Sequence, residues 1–273
     1  MNSIVFAKRL KYLVAFAFLL LLEACGLDTF YYLDPPITDG HTSYYTTEDG
    51  IYRYFSFVTN EESSLGDNDQ YFSSSSELVF LGTEVYYKIY NNYSTMVSAE
   101  NAIDSLNSSS SNYAAAAESL IESRGYKPLK FSSGSFIPLV EAGSSPNNRH
   151  VYIRLSDLSK SNTVVDFQQG ICISNQSMTK YDPSKALMHN GQPVMPRRYI
   201  NSNYGFNFGQ DDNNPLPKNG DADVNYSSSS SDSGTWYVDM YAVSVGRDTS
   251  YSTSYSKVLF LGSVKIQESD YSD

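Results

Sequence analysis

Two cysteines, three histidines and two short acidic clusters carry the side chains whose chemistry has to be weighed first. Cys172 lies in Gly170-Ile171-Cys172-Ile173. A nucleophilic thiol needs an imidazole or a helix N-terminus beside it, and this apolar run supplies neither. The surroundings suit a buried thiol acting as a small hydrophobe. His41, His150 and His189 are scattered without ligand spacing, so zinc is not expected. Asp221-Ala222-Asp223-Val224-Asn225 sets oxygen ligands at alternate positions, as the opening of a calcium loop does. It lacks the glycine and the closing glutamate of an EF-hand, and Asp67-Asn68-Asp69 is similarly incomplete. Acidic loop composition accounts for both, and no metal or other cofactor is expected. No nucleophile elbow, P-loop or dinucleotide glycine pattern occurs.

Cys25 has a different setting. Lys8, Arg9 and Lys11 form a basic start, and an apolar run follows from Tyr12 to Leu22. That run is about 11 residues, roughly 16 Å as a helix. A bilayer core is about 30 Å thick, so the length fits the apolar region of a signal peptide rather than a span. Leu22-Glu23-Ala24-Cys25-Gly26 comes next. This block resembles the lipobox of bacterial lipoproteins. The resemblance implies a lipid on the Cys25 thiol, cleavage just before it, and acylation of the new amino terminus with a fatty acid such as palmitate. Glu23 departs from the small or neutral residue that enteric lipoboxes place there. Spirochaetal lipoboxes are looser, and the Tyr- and Ser-rich body also resembles lipoproteins of treponemes. Gly26, rather than Asp, follows the cysteine; by the same resemblance this favours the outer over the inner membrane. The alternative is an ordinary secretory signal, residues 1–24, cut near Ala24 and leaving Cys25 as a thiol.

The formal net charge is −11, and the leader carries +2, so its removal leaves −13. An acidic surface repels phosphate backbones, which disfavours nucleic acid as a partner. Hydrophobic residues make up 41% of the chain, enough to build a core. The 24 Tyr and 14 Phe favour half-buried strands.

The elements follow from periodicity. Residues 25–47 read as a lipidated N-terminus and tether, marked by Asp34-Pro35-Pro36 and Asp39-Gly40. Residues 48–273 read as a single domain, with two smaller domains as the alternative. Ile51–Thr59 is strand-like. Leu78–Tyr90 is the strongest strand, bent at Gly82, with Val85, Tyr87 and Ile89 on one face and Glu84, Tyr86, Lys88 and Tyr90 on the other. Met96, Ala99, Ile103 and Leu106 recur at helical spacing. Asn112 can cap a second helix that closes at Gly125, giving a helical hairpin at about 94–125. Strands are expected again over Phe136–Val140, Val151–Leu155, Val164–Ile173 and Tyr199–Phe208. A long loop, Gly209–Ser233, precedes two long strands, Trp236–Val245 and Lys257–Ile266. Val79-Phe80-Leu81-Gly82 echoes Leu259-Phe260-Leu261-Gly262, which predicts a similar bend in two strands.

Gly82-Thr83-Glu84-Val85-Tyr86-Tyr87-Lys88 is similar to the third strand of fibronectin type III modules. Trp236, Val238, Met240 and Ala242, followed by Gly246, are similar to the sixth, and Ser254–Val264 would be the last. The usual early-strand Trp is missing, so Phe55 or Phe57 would have to serve. The resemblance implies a mainly β fold: an elaborated antiparallel β-sandwich, fibronectin type III- or immunoglobulin-like, with an inserted helical hairpin. Tyr86, Tyr90, Tyr237 and Tyr241 would then share the outer faces. Such tyrosines serve either as a protein- or glycan-binding surface or as plain cross-strand pairs. Two readings result. One is a membrane-anchored binding or structural lipoprotein of the cell envelope, with an exposed aromatic patch. The other is a tethered envelope enzyme such as a hydrolase, with a cleft of converging acids and histidines.

Overall fold

The fold is that of a computed structural model, which describes residues 32–43, 53–61, 68, 77–130, 138–155, 169–200, 202–208, 216–229 and 234–267. The leader and Cys25 lie outside the described residues. Tyr32–Asp273 forms one compact unit.

The early strands are β1 (Phe55–Val58), β2 (Leu78–Tyr90), β3 (Lys127–Pro128), β4 (Val140–Glu141), β5 (His150–Arg154) and β6 (Gly170–Ser174). Short elements follow: β7 (Met188–His189), β8 (Gln192–Pro193), β9 (Arg197–Ile200), β10 (Asn203–Asn207) and β11 (Val224–Asn225). Two long strands close the fold, β12 (Thr235–Asp248) and β13 (Thr253–Gln267). The large sheet runs β11-β2-β12-β13, with β3 and β4 also paired to β2. The small sheet runs β1-β5-β6 and is antiparallel throughout.

Period-two alternation sends one face of every long strand inward. Val85, Tyr87 and Ile89 of β2 and Trp236, Val238, Met240 and Ala242 of β12 pack in one core cluster with Phe55, Phe57, Val151, Ile153 and Ile171 of the small sheet. Two sheets facing each other across an apolar core make a β-sandwich. The run β2-β12-β13 repeats the C-F-G order of immunoglobulin constant-type domains. The small sheet has its own topology. Its central strand β5 precedes its outer strand β6, whereas the immunoglobulin central strand follows its outer neighbour.

A helical layer covers the outer face of the large sheet. Helix α1 (Tyr93–Ser109) starts at Asn92, whose side chain accepts the Thr95 N–H at 2.9 Å. It buries Met96, Ala99 and Ile103. The Asn112 side chain accepts the Ala114 N–H at 3.0 Å just before α2 (Ala115–Glu118), which widens into a π-helical turn over Ser119–Ser123. Gly125, at φ +67°, ends it, and the Tyr126 N–H reaches back to the Leu120 carbonyl at 3.1 Å. The hairpin and its closing glycine stand where the sequence set them, whereas the N-cap of α2 is Ala114 rather than Asn112 and makes no side-chain cap bond.

Some segments differ from the sequence reading. Tyr199–Phe208, expected as one strand, lies in the hairpin β9–β10, which turns at Ser202 with φ +63°. The expected loop Gly209–Ser233 contains β11, which pairs parallel with the end of β2. Residues 136–137 and 164–168, read as strand, lie outside the described residues. Within the segment read as tether, Leu33 is fully buried, Ile37 bridges to Val58, and Ser43 bridges to Gly262.

The echoed Phe-Leu-Gly segments have a shared physical cause. Gly82 (φ +138°) receives the backbone of β4, and Gly262 (φ +106°) receives that of Ser43. A Cβ on either glycine would collide with the incoming main chain. The partner strand also slips register opposite both, at Val245/Gly246 and Met240/Tyr241. Gly82→Ala and Gly262→Ala are each expected to cost at least about 2 kcal/mol, read as a lower urea midpoint at unchanged slope.

Candidate functional site

Asp39, His41, Ser43 and His150 come together near the start of the body. The Asp39 carboxylate accepts from Ser56 Oγ at 2.7 Å and lies 3.6 Å from His150 Nδ1. His41 stacks on Tyr54 with ring centroids 3.8 Å apart. Its Nε2 is 3.2 Å from Ser43 Oγ and 3.0 Å from the Tyr54 carbonyl oxygen. The residue types suggest a serine nucleophile, but the hydrogen bonding opposes it. A carbonyl only accepts, so Nε2 carries the hydrogen and has no lone pair for the serine proton. Ser43 also donates to the same carbonyl and is buried. Burial holds the His41 pKa below its ordinary value, against the raising effects of the Tyr54 carbonyl and Asp39. The cluster pins residues 39–43 to the small sheet.

Asp221 and Asp223, weighed above as calcium ligands, are taken by Arg198. The guanidinium donates from Nε and Nη2 to Asp223 at 3.0 and 2.9 Å, and from Nη2 to Asp221 at 2.9 Å. Tyr87 donates to Asp223 at 2.9 Å and accepts the Tyr199 N–H at 2.6 Å. Arg198 and Asp223 are fully buried. The guanidinium already supplies the positive charge that balances these two carboxylates. Asn68 also has a structural role: its side chain holds the Asp34 N–H and carbonyl at 2.9 and 3.0 Å. Asp67 and Asp69 lie outside the described residues. Among the described residues no group of three or more acidic, His or Cys side chains could hold a metal ion.

Cys172 is buried with Tyr54, Tyr152 and Tyr181 on the outer side of the small sheet. Its thiol lies 3.4 Å from the Asp182 carbonyl, and burial pushes its pKa up to about 11. That is the setting of an inert thiol. His150 pairs with Asp39, and His189 sits on the exposed hairpin β7–β8.

The outer tyrosines are where the structure corrects the sequence reading most. Tyr86, Tyr90, Tyr237 and Tyr241 are 2%, 1%, 6% and 2% exposed, covered by α1, α2 and Tyr126. No aromatic patch is presented there. Tyr90 donates to Tyr126 at 3.1 Å, and Tyr126 donates to Asp239 at 2.6 Å. Asp239 is fully buried, and desolvation drives its carboxyl well above the ordinary range, with Glu100 adding to the rise. Glu84, hydrogen-bonded by Tyr86, is pushed up to about 7 by burial. One carboxylate oxygen each of Glu84, Glu100 and Asp239 is buried without a hydrogen-bond partner among the described residues.

Between α1 and β13 the cover leaves a groove of about 400 Å³. Tyr241, Val258 and Phe260 form its sheet side, and Glu100, Ile103 and Asp104 its helix side. Asn107 fixes the two walls by pairing with both the N–H and the carbonyl of Val258, at 2.9 and 3.0 Å. Periodicity identified the buried side of α1 but not that Glu100 and Asp104 would look across at Phe260. No protein-family model, curated protein or solved structure matches the chain. Its class is therefore set by architecture: a mainly β, antiparallel sandwich with one outer face under a helical hairpin.

Proposed function

We propose that the chain is an exported lipoprotein, held at a cell-envelope membrane by acyl chains on Cys25, with its body acting as a binding or structural module. The observation that carries this reading is the ordered leader: basic start, short apolar run, then Leu22-Glu23-Ala24-Cys25. A single acyl chain holds only marginally, whereas two or three anchor stably. Leu33, the first fully buried side chain described, stands eight positions after Cys25. Among the described residues no helix is long and apolar enough to cross a membrane. Gly26 favours the outer membrane, as the lipobox resemblance implies. Labelling cells with palmitate tests the anchor. Label is expected in the wild-type chain and absent from Cys25→Ala; an unlabelled wild-type chain would end the proposal.

A further inference from the structure

We propose that the groove between α1 and β13 binds a small organic cation: an amine or quaternary ammonium group carried on an apolar body. The inference deepens the binding-module reading above and rests on it.

The groove combines two kinds of surface. Phe260 presents the open ring, and the buried Tyr241 ring, 5.0 Å away, backs it together with Val258 and Ile103. Phe260 is 36% exposed, so its ring is open to an incoming group. Glu100 and Asp104 line the opposite wall. A cation is drawn both to the ring faces and to the carboxylates, and a desolvated site strengthens both attractions.

A second observation comes from beneath the groove. Among the described residues Glu100 has a buried oxygen without a hydrogen-bond partner, and so does the fully buried Asp239, two positions from Tyr241 on the same strand face. Buried polar atoms are normally satisfied, so each exception asks for an explanation. Burial holds both carboxyls above the ordinary range, and Glu100 adds to the rise at Asp239. Of the basic groups nearby, Lys88 acts on Asp239 and donates to the Arg124 carbonyl, and Lys257 lies over Tyr113. A bound ammonium would set a positive charge against the Glu100 and Asp104 wall of the groove.

The chemistry favours an organic cation over a metal ion. Divalent ions require several oxygen ligands converging on one point, and the groove offers two carboxylates across from aromatic rings. The volume falls at the small end of ligand pockets.

The test is calorimetric titration of the full chain, in non-ionic detergent at pH 8, with benzylamine and with its neutral analogue benzyl alcohol. Benzylamine is expected to bind one site per chain at least tenfold more tightly than the alcohol. Glu100→Gln is expected to lower benzylamine affinity at least tenfold and leave the alcohol within twofold. Phe260→Ser, on the exposed edge, is expected to weaken both probes. Equal affinity for the two probes, no saturable binding, or Glu100→Gln binding like the parent would overturn the proposal. Because palmitate labelling reads the anchor and titration reads the groove, either can fail without the other.

Discussion

Arg198→Met is expected to destabilise the protein by about 3 to 5 kcal/mol, the cost of leaving buried carboxylates without their cation. Asp223 would keep only the Tyr87 hydroxyl, and Asp221 the Lys218 N–H at 3.1 Å. Typical domains hold about 5 to 15 kcal/mol in total, so this one change would consume much of the reserve. The loss comes from stranded charge, which gives it a signature. Removing the stranded charge should therefore restore part of the loss. Adding Asp223→Asn to Arg198→Met should also cost less than the sum of the two single changes. Urea unfolding of the four proteins in the cycle measures this. A loss under about 1 kcal/mol, or strict additivity, would show that the network does not hold β9 and the 218–225 segment to β2.

Stability should also fall as the pH rises from about 4.5 to above 7, opposite to the trend set by ion-paired carboxylates. Glu84 binds its proton more tightly folded than unfolded, because burial lifts it from 4.5 to about 7. A raised folded pKa means that the contribution is complete below the unfolded value and is lost as pH climbs through the folded one. For Glu84 the difference converts to about 3 kcal/mol. Asp239 and Glu100 shift in the same direction through burial and add to the slope. Glu84 and Asp239 stand on the sheet face under the cover and Glu100 stands on α1, so the helical cover should loosen first. Glu84→Gln is expected to flatten the dependence by removing its own share. Urea midpoints between pH 4 and 8 check the sign, and a midpoint that climbs through that range would refute it.

The long strands and the helical hairpin were legible because one-dimensional periodicity states which face of an element is apolar. Val85, Tyr87 and Ile89 alternate, Trp236 to Ala242 alternate, and Met96 to Ile103 step by three and four; each set lies in the packing its pattern implies. Periodicity does not state what lies on the other face. Tyr86, Tyr90, Tyr237 and Tyr241 alternate outward from the sandwich core, and only the placement of α1 and α2 turns outward into buried. Asp239 and Glu84 look like solvent-facing acids for the same reason. The partners of Asp221 and Asp223 were not legible either. Arg198 is 23 and 25 residues away, and nothing in Arg197-Arg198 marks which of the two turns inward. One missed element did carry a signal. Asn190-Gly191, at φ +51° and +76°, is the dipeptide of a tight hairpin turn, and it joins β7 to β8.

The proposed lipid anchor would give the rest its setting, by deciding where the sandwich and its groove are displayed. Mass spectrometry of the N-terminal peptide from the membrane fraction tests it most directly. A peptide that begins at Cys25 and carries two or three acyl chains is the predicted result. A peptide with a bare Cys25 thiol would contradict the account.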